Sequence, residues 1–430
     1  MIKNALKSKN AKNASWIIGE QIFQMLVSFV IGVISARYLG PSNYGALNYT
    51  ASFVAFMTPF ATLGMHGVVV KKLIANPDKE GIYLGSTMFF RIVSSLLSSL
   101  AILLMVYVLD IDDTLKLYLA GLQSIALVFQ AVNMLDAWFQ RHLKAKYVSL
   151  AKMVACIVVS CYKIYLLVSA KSVVWFAFSN SLTFIVIAAV LVWFYNKQGG
   201  QRLSCSFDVG REVLSESWHF IMSGLMVAIY GQIGKIMVGQ YMTDAEVGFY
   251  TMAAMLASIW NFVPTAIINS MQPTIMEYKH KGDETMYMLR LQQLYSFLIW
   301  LCIGVSVFVW IIGKYVIQLL YGEAYMGAVA PLQILIWAEV FSVLGSARGI
   351  WILSESKNKY VKYYLAVGAI FSIGMNFFLI PTLGTIGAAI VTVSTQMVTS
   401  MIAPLFFKAT RIHTKIIIDS FLLKWYFQNK

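Results

Sequence analysis

Twelve stretches of this chain stay apolar for about 20 residues or more, and nothing else limits its possible folds as strongly. Their approximate limits are 15–36, 44–70, 82–109, 115–139, 148–168, 173–195, 218–241, 247–275, 291–312, 331–353, 360–380 and 386–407. A helix of that length crosses a hydrocarbon core of about 30 Å. Lipid offers the backbone no partners, so each span must satisfy its own amides, as a helix does. Composition agrees: 59% of the 430 residues are apolar and 12% are charged, where a soluble chain carries about a quarter charged. The mean hydropathy is +0.71. The sequence therefore predicts an all-α polytopic membrane protein. The first run follows four lysines but exceeds a signal-peptide core and contains Glu20, Gln21 and Gln24, so we read it as a retained helix.

Lysine and arginine set the orientation. The N-terminus (Lys3, Lys7, Lys9 and Lys12), the even-numbered loops and the C-terminal tail hold 24 of them. The odd-numbered loops hold four: Arg37, Lys116, Lys171 and Lys314. That asymmetry predicts twelve spans with both termini in the cytoplasm. It also accounts for most of the net charge of +14, without a nucleic-acid partner. The cysteines, Cys156, Cys161, Cys205 and Cys302, form no CxxC or Cys/His cluster, which predicts packing residues rather than a disulfide framework or a metal site.

The corner ARYLGPSNYGALNY, between the first two runs, has an echo in VGQYMTDAEVGFYTMAAM, between the seventh and eighth. Aligning Tyr38 with Tyr241 places Gly45 on Gly248 and Pro59 near Pro264. A second echo pairs KAKYV at Lys144 with KNKYV at Lys357. The chain reads as a parallel repeat of two six-helix units. The expected divisions are a lobe over 1–195, a cytoplasmic linker over 196–217, a lobe over 218–407 and an amphipathic cytoplasmic tail over 408–430. In the tail, Arg411, Lys415 and Asp419 recur every fourth residue, a pattern that fits a helix on the inner leaflet.

No GxxxxGK[ST], HExxH or Ser-His-Asp arrangement occurs, and no outer loop is large. The sequence thus supports neither ATP-driven transport by this chain alone nor an enzyme, and it implies no cofactor. Charged residues inside spans cost about 2.5–3.5 kcal/mol each on insertion scales, so they are candidates for function. The cations are Arg91, Lys152, Lys163, Lys235 and Arg348; the acids are Glu20, Asp136 and Glu339. Lys235 and Lys163 lie deepest. The excess of cations favours an anionic passenger. Glu20 begins a polar stripe, Glu20, Gln24, Ser28, Gly32 and Ser35, and is a candidate proton carrier. Pro59 and Pro264 remove backbone donors and permit bends, either as gates or as static kinks.

RYLGPSNYGALNY, LYGEAYMGAVAPLQIL, GFYTMAAML and LIPTLGTIGAAIVT together resemble the signatures of bacterial lipid-linked oligosaccharide flippases. These O-antigen or polysaccharide repeat-unit transporters are a branch of the multidrug/oligosaccharidyl-lipid/polysaccharide exporter superfamily. The resemblance covers essentially the whole chain. It implies two six-helix lobes around a central cavity, in the bacterial inner membrane. It also implies movement of undecaprenyl-diphosphate-linked repeat units to the periplasmic leaflet by alternating access, for O-antigen, lipopolysaccharide or other surface polysaccharide. Membrane lipids and the polysaccharide polymerase machinery are the implied partners. On this reading Lys235, Lys163 and Arg91, with Arg348, Lys152 and Arg37 as further candidates, neutralise the diphosphate. Glu20, with Asp136 or Glu339, titrates or pairs with these cations. The alternatives are an ion-coupled multidrug exporter, which should favour acids in its cavity, a membrane-embedded polymerase or ligase, and a scaffold.

Overall fold

The computed structural model describes residues 9–111 and 113–423. Lys3, Lys7, Lys424 and Lys430 of the charge asymmetry lie outside the described residues. Within them the chain forms fifteen α-helices and no strand. They are α1 (Lys9–Thr62), α2 (His66–Ala75), α3 (Glu80–Leu109), α4 (Thr114–Gln130), α5 (Leu135–Arg141), α6 (Ala145–Val168), α7 (Val173–Lys197), α8 (Phe207–Tyr241), α9 (Asp244–Ser258), α10 (Phe262–His280), α11 (Glu284–Tyr321), α12 (Val329–Leu335), α13 (Ala338–Ser354), α14 (Val361–Met397) and α15 (Arg411–Phe421). Among the described residues nine helical stretches are long and apolar enough to cross a membrane, or ten if the 46° bend between α12 and α13 lies within one span.

The solvent pattern of α3 shows what surrounds it. Leu97 is 63% exposed and Val108 65%, while Ser86, Thr87 and Ser95 are fully buried. In water that arrangement is inverted; in lipid it is the expected one, with polar groups turned toward neighbouring helices.

The corner at the start of the repeat is one residue wide. Helix α1 continues through it except at Gly40 (φ 70°, ψ 170°), a conformation open essentially to glycine alone. Pro41 follows, where a helix start has no use for an N–H. Tyr38 donates to the Lys171 carbonyl at 3.1 Å and stacks on Phe176, which ties the corner to α7. The echo is built differently: Thr243 caps α9, accepting from the Glu246 amide. A second single-glycine kink, at Gly384 (φ 58°, ψ −134°), divides α14.

Contacts divide the chain into Met1–Ala228 and Ile229–Lys430. In the first unit α1 packs on α3, α4 and α6, and α7 packs on α4 and α6. Its core includes Met65, Leu73, Leu84, Leu135, Phe139 and Ala151. In the second unit α11 packs on α10, α13 and α15. There Tyr287, Leu291, Tyr295 and Leu298 meet Leu344, Ala347, Trp351 and Ile417. Helix α8 starts at Phe207, eleven residues earlier than the seventh apolar run. The polar segment 207–217 is helical because one face, Val213 and Ser217, is buried in the first unit, and Gly210 lies against the Phe90 ring.

Residues 201–206, which form neither helix nor turn, run as a strap along the first turns of α3. The Ser204 amide donates to the Gly81 carbonyl at 3.2 Å and the Ser206 amide to Ser86 Oγ at 2.8 Å. The Tyr195 hydroxyl donates to the Gln201 carbonyl at 2.7 Å. Gly81 and Gly85 make the approach possible, since a Cβ on either would lie 2.3 Å from a strap carbonyl oxygen, that of Arg202 or Ser204. Gly85→Val should therefore release the strap. Trypsin cleavage after Arg202 in membrane vesicles is expected to be at least about tenfold faster than in wild type. An unchanged rate would mean the glycines do not hold it.

Helix α15 is held to the protein by its His413 face. His413 is fully buried, 2.9 Å from the Tyr295 hydroxyl and against the Trp351 ring. Burial, helped by the nearby Arg348 guanidinium, pushes the His413 imidazole well below the ordinary histidine range. The unfolded chain takes up a proton below pH about 6.5 while the folded chain does not, so this contribution to stability is intact above that pH and falls below it. The expected loss is on the order of 1 kcal/mol at pH 5.5, one unit below the ordinary histidine value. Melting of wild type at pH 7.5 and 5.5, against His413→Gln, checks this: the variant should lose less on acidification.

Candidate functional site

In the first unit, α1 and α6 bring their polar stripes together. Glu20, Gln24 and Ser28 recur every fourth residue on α1. Ser149, Lys152, Cys156, Ser160 and Lys163 follow helical spacing on α6. One cavity of about 390 Å³ is lined by Glu20, Asp136, His66 and Lys152, with Asn13 and Gln140. His66 Nε2 lies 3.9 Å from Asp136 Oδ2. A smaller cavity of about 150 Å³ holds Lys152 again, with Lys163, Cys156, Gln24, Ser28 and Thr183. The structure thus places Glu20, Asp136 and Lys152 at one site and links it through Lys152 to Lys163.

In the second unit a cavity of about 230 Å³ is lined by Lys235, Glu339, Tyr230, Tyr250, Thr392 and Thr395, among others. The Tyr250 and Thr392 hydroxyls are 2.8 Å apart. Glu339 accepts from Asn261 Nδ2 at 2.7 Å. Among the described residues neither Lys235 nor Lys163 has a carboxylate within ion-pair distance. Thr395 Oγ1 is buried without a partner. A half-buried ammonium among hydroxyls has spare donors, and an oxyanion answers that arrangement better than another cation.

The two buried arginines point elsewhere. Arg91 donates from Nη2 to the Gln130 carbonyl at 3.0 Å, where α4 gives way to a 3-10 segment, Ala131–Met134. Arg348 donates from Nη1 to the Thr399 carbonyl at 2.6 Å and lies over the Tyr364 ring at 4.7 Å. Thr399 belongs to a π-helical segment, Val398–Ile402. Each guanidinium thus serves carbonyls at a break in a helix. Arg37 is exposed just before the Gly40 corner. Pro59 lies inside α1, its Cβ 3.2 Å from where a Cβ on Gly224 would stand. Pro264 sits in the first turn of α10, directly after a 3-10 break.

Two buried charge clusters escaped the reading of the sequence. Lys116, counted there as an outer-loop cation, is buried with its Nζ 2.9 Å from Asp110 Oδ1; the other Asp110 oxygen accepts from the Tyr49 hydroxyl at 2.7 Å. The spacing Asp110, Asp113, Lys116 around a helix start was the available signal. Glu80 is buried with Arg141, and accepts from Trp138 Nε1 at 2.7 Å. Nothing local to Glu80 announces those partners, which come from α5.

Residues 10–279 match the model of a family described as polysaccharide biosynthesis protein. No curated protein sequence matches the chain. Among solved structures, the lipid II flippase MurJ in an inward closed conformation superposes with a TM-score of 0.71 at 14% identity, over 95% of this chain and 90% of that one. An inward-facing multidrug resistance MATE family transporter of the MOP superfamily gives 0.66 at 13% identity, over 92% and 96%. A MOP superfamily transporter from Pyrococcus furiosus, described by the reverse polarity of its binding pocket, gives 0.56 at 15% identity, over 96% and 98%. At these identities the likeness is one of fold.

Proposed function

The chain belongs to the polysaccharide biosynthesis protein family, and on that premise we propose that it is a lipid-linked oligosaccharide flippase. It carries undecaprenyl-diphosphate-linked repeat units from the cytoplasmic to the periplasmic leaflet by alternating access, for O-antigen or another surface polysaccharide. The observation that carries this reading is the Lys235 ammonium, which among the described residues makes no ion pair although its cavity is lined by Glu339 as well as by hydroxyls. A diphosphate brings about two negative charges to a site of low dielectric, where such a group counts most. Lys163 offers the same chemistry in the first unit. Glu20, Asp136 and Glu339 are the groups assigned to proton coupling or charge pairing, with Lys152 lining the same cavity as the first two.

Twelve spans belong to the same proposal. Dividing the first and last apolar stretches at Gly40 and Gly384, and taking α12 with α13 as one span, supports that number. The charge asymmetry then supports an inner-membrane protein with both ends in the cytoplasm.

A second reading, an ion-coupled multidrug exporter, draws on the acid-bearing cavity at Glu20 and Asp136. Deletion separates the two. Lipid-linked repeat units should accumulate in the cytoplasmic leaflet while surface polysaccharide disappears. Unchanged polysaccharide with new drug sensitivity would favour the exporter.

A further inference from the structure

The last membrane-length stretch ends at Phe406, which is 66% exposed, and Lys408 follows two residues later. The helix beyond, α15, does not lie free on a surface. His413, Thr414, Ile416, Ile417 and Ser420 are buried against the protein. Ser296 Oγ donates to the Ser420 carbonyl at 2.7 Å, and Thr414 Oγ1 to the Met401 carbonyl at 2.9 Å. With one face so fixed, the opposite face is committed to the outside. It carries Arg411, Lys415 and Ile418, with Leu422 next in line at the residue that ends the helix, at spacings of four, three and four residues and all exposed; half-buried Asp419 flanks the stripe beside Lys415. Arg411 is held at the end of the last span by its Nε donating to the Leu405 carbonyl at 2.7 Å.

That stripe is cationic where it meets the span and apolar farther along. We propose that Lys408, Arg411 and Lys415 with Ile418 and Leu422 form a binding surface for acidic phospholipid. The cations take the headgroup phosphate, and the apolar residues, with Phe406, meet the acyl region. Charge complementarity and the direct continuation from a membrane-spanning helix select lipid over a soluble partner. The proposal is independent of the transported substrate.

The test uses the full chain purified in detergent. Its melting is followed while phosphatidylglycerol, phosphatidylcholine or inorganic phosphate is titrated. A ligand that binds only the folded state raises the melting temperature. Phosphatidylglycerol should raise it, and the other two should not. The double variant Lys408→Glu with Lys415→Glu should melt like wild type without lipid. It should need at least about tenfold more phosphatidylglycerol for the same rise, each charge contributing about fivefold in affinity. Where that variant fails to fold, Lys415→Gln is measured and should need about fivefold more. An undiminished response in the variant would overturn the proposal. So would an equal effect of phosphatidylcholine or of phosphate. No response to either lipid would leave the stripe to a protein partner and overturn it too.

Discussion

Replacing Lys235 by alanine is expected to abolish most surface polysaccharide while the protein still reaches the membrane at its normal level. The change removes an ammonium that makes no ion pair among the described residues, and Glu339 in the same cavity keeps its Asn261 donor. Little stability is therefore at stake, and the loss falls on the passenger. Truncating one side of a buried charge contact costs about 2–5 kcal/mol, so transport should drop at least about 30-fold. Lipid-linked repeat units should accumulate in the cytoplasmic leaflet. Lys235→Arg keeps the charge but presents a planar fork in place of a compact point charge, and it should retain part of the activity. The measurement is surface polysaccharide per copy of membrane protein. Wild-type levels in Lys235→Ala would remove Lys235 from the mechanism.

Arg348→Ala should fail in the opposite way. Its guanidinium is the donor to the Thr399 carbonyl in the π-helical segment, and it packs on the Tyr364 ring. Without it a buried carbonyl loses a charged donor, at about 1.5–3 kcal/mol, and the stacked contact is lost besides. Melting temperature and membrane level should both fall. Activity per surviving molecule should stay within about twofold of wild type. Arg348→Lys should recover only part of the stability, since one ammonium does not reproduce a planar guanidinium lying over a ring. A variant of normal stability and lost transport would return Arg348 to the substrate.

These two variants also mark how far the sequence is readable. Lys235, Lys163, Arg91 and Arg348 give the same signal, a cation amid apolar residues. What separates them is the partner. The break at Ala131–Met134 has no proline or glycine, so no local residue announces the Gln130 carbonyl that claims Arg91; at Val398–Ile402 the only local signal is Pro404, which has no N–H to offer the Ser400 or Thr399 carbonyl. The corners were legible because Gly40 and Pro41 act through their own backbones. The start of α8 was not, because segment 207–217 is helical only where the first unit buries one face of it. Glu20, Asp136 and Lys152 were each visible as charges in spans, yet their shared cavity depends on how α1, α5 and α6 pack.

The kink at Gly40 has a consequence for how this chain can vary. With φ and ψ at that residue in the right-handed region, the 54 residues of α1 would form one rod of about 81 Å. A hydrocarbon core of about 30 Å has no place for it. Space does not forbid a side chain there, since a Cβ would meet nothing within 4 Å. The obstacle is a single pair of torsion angles. A one-codon change at an open, roomy position would thus threaten the return of the chain through the bilayer, while far bulkier changes on the lipid face pass unnoticed.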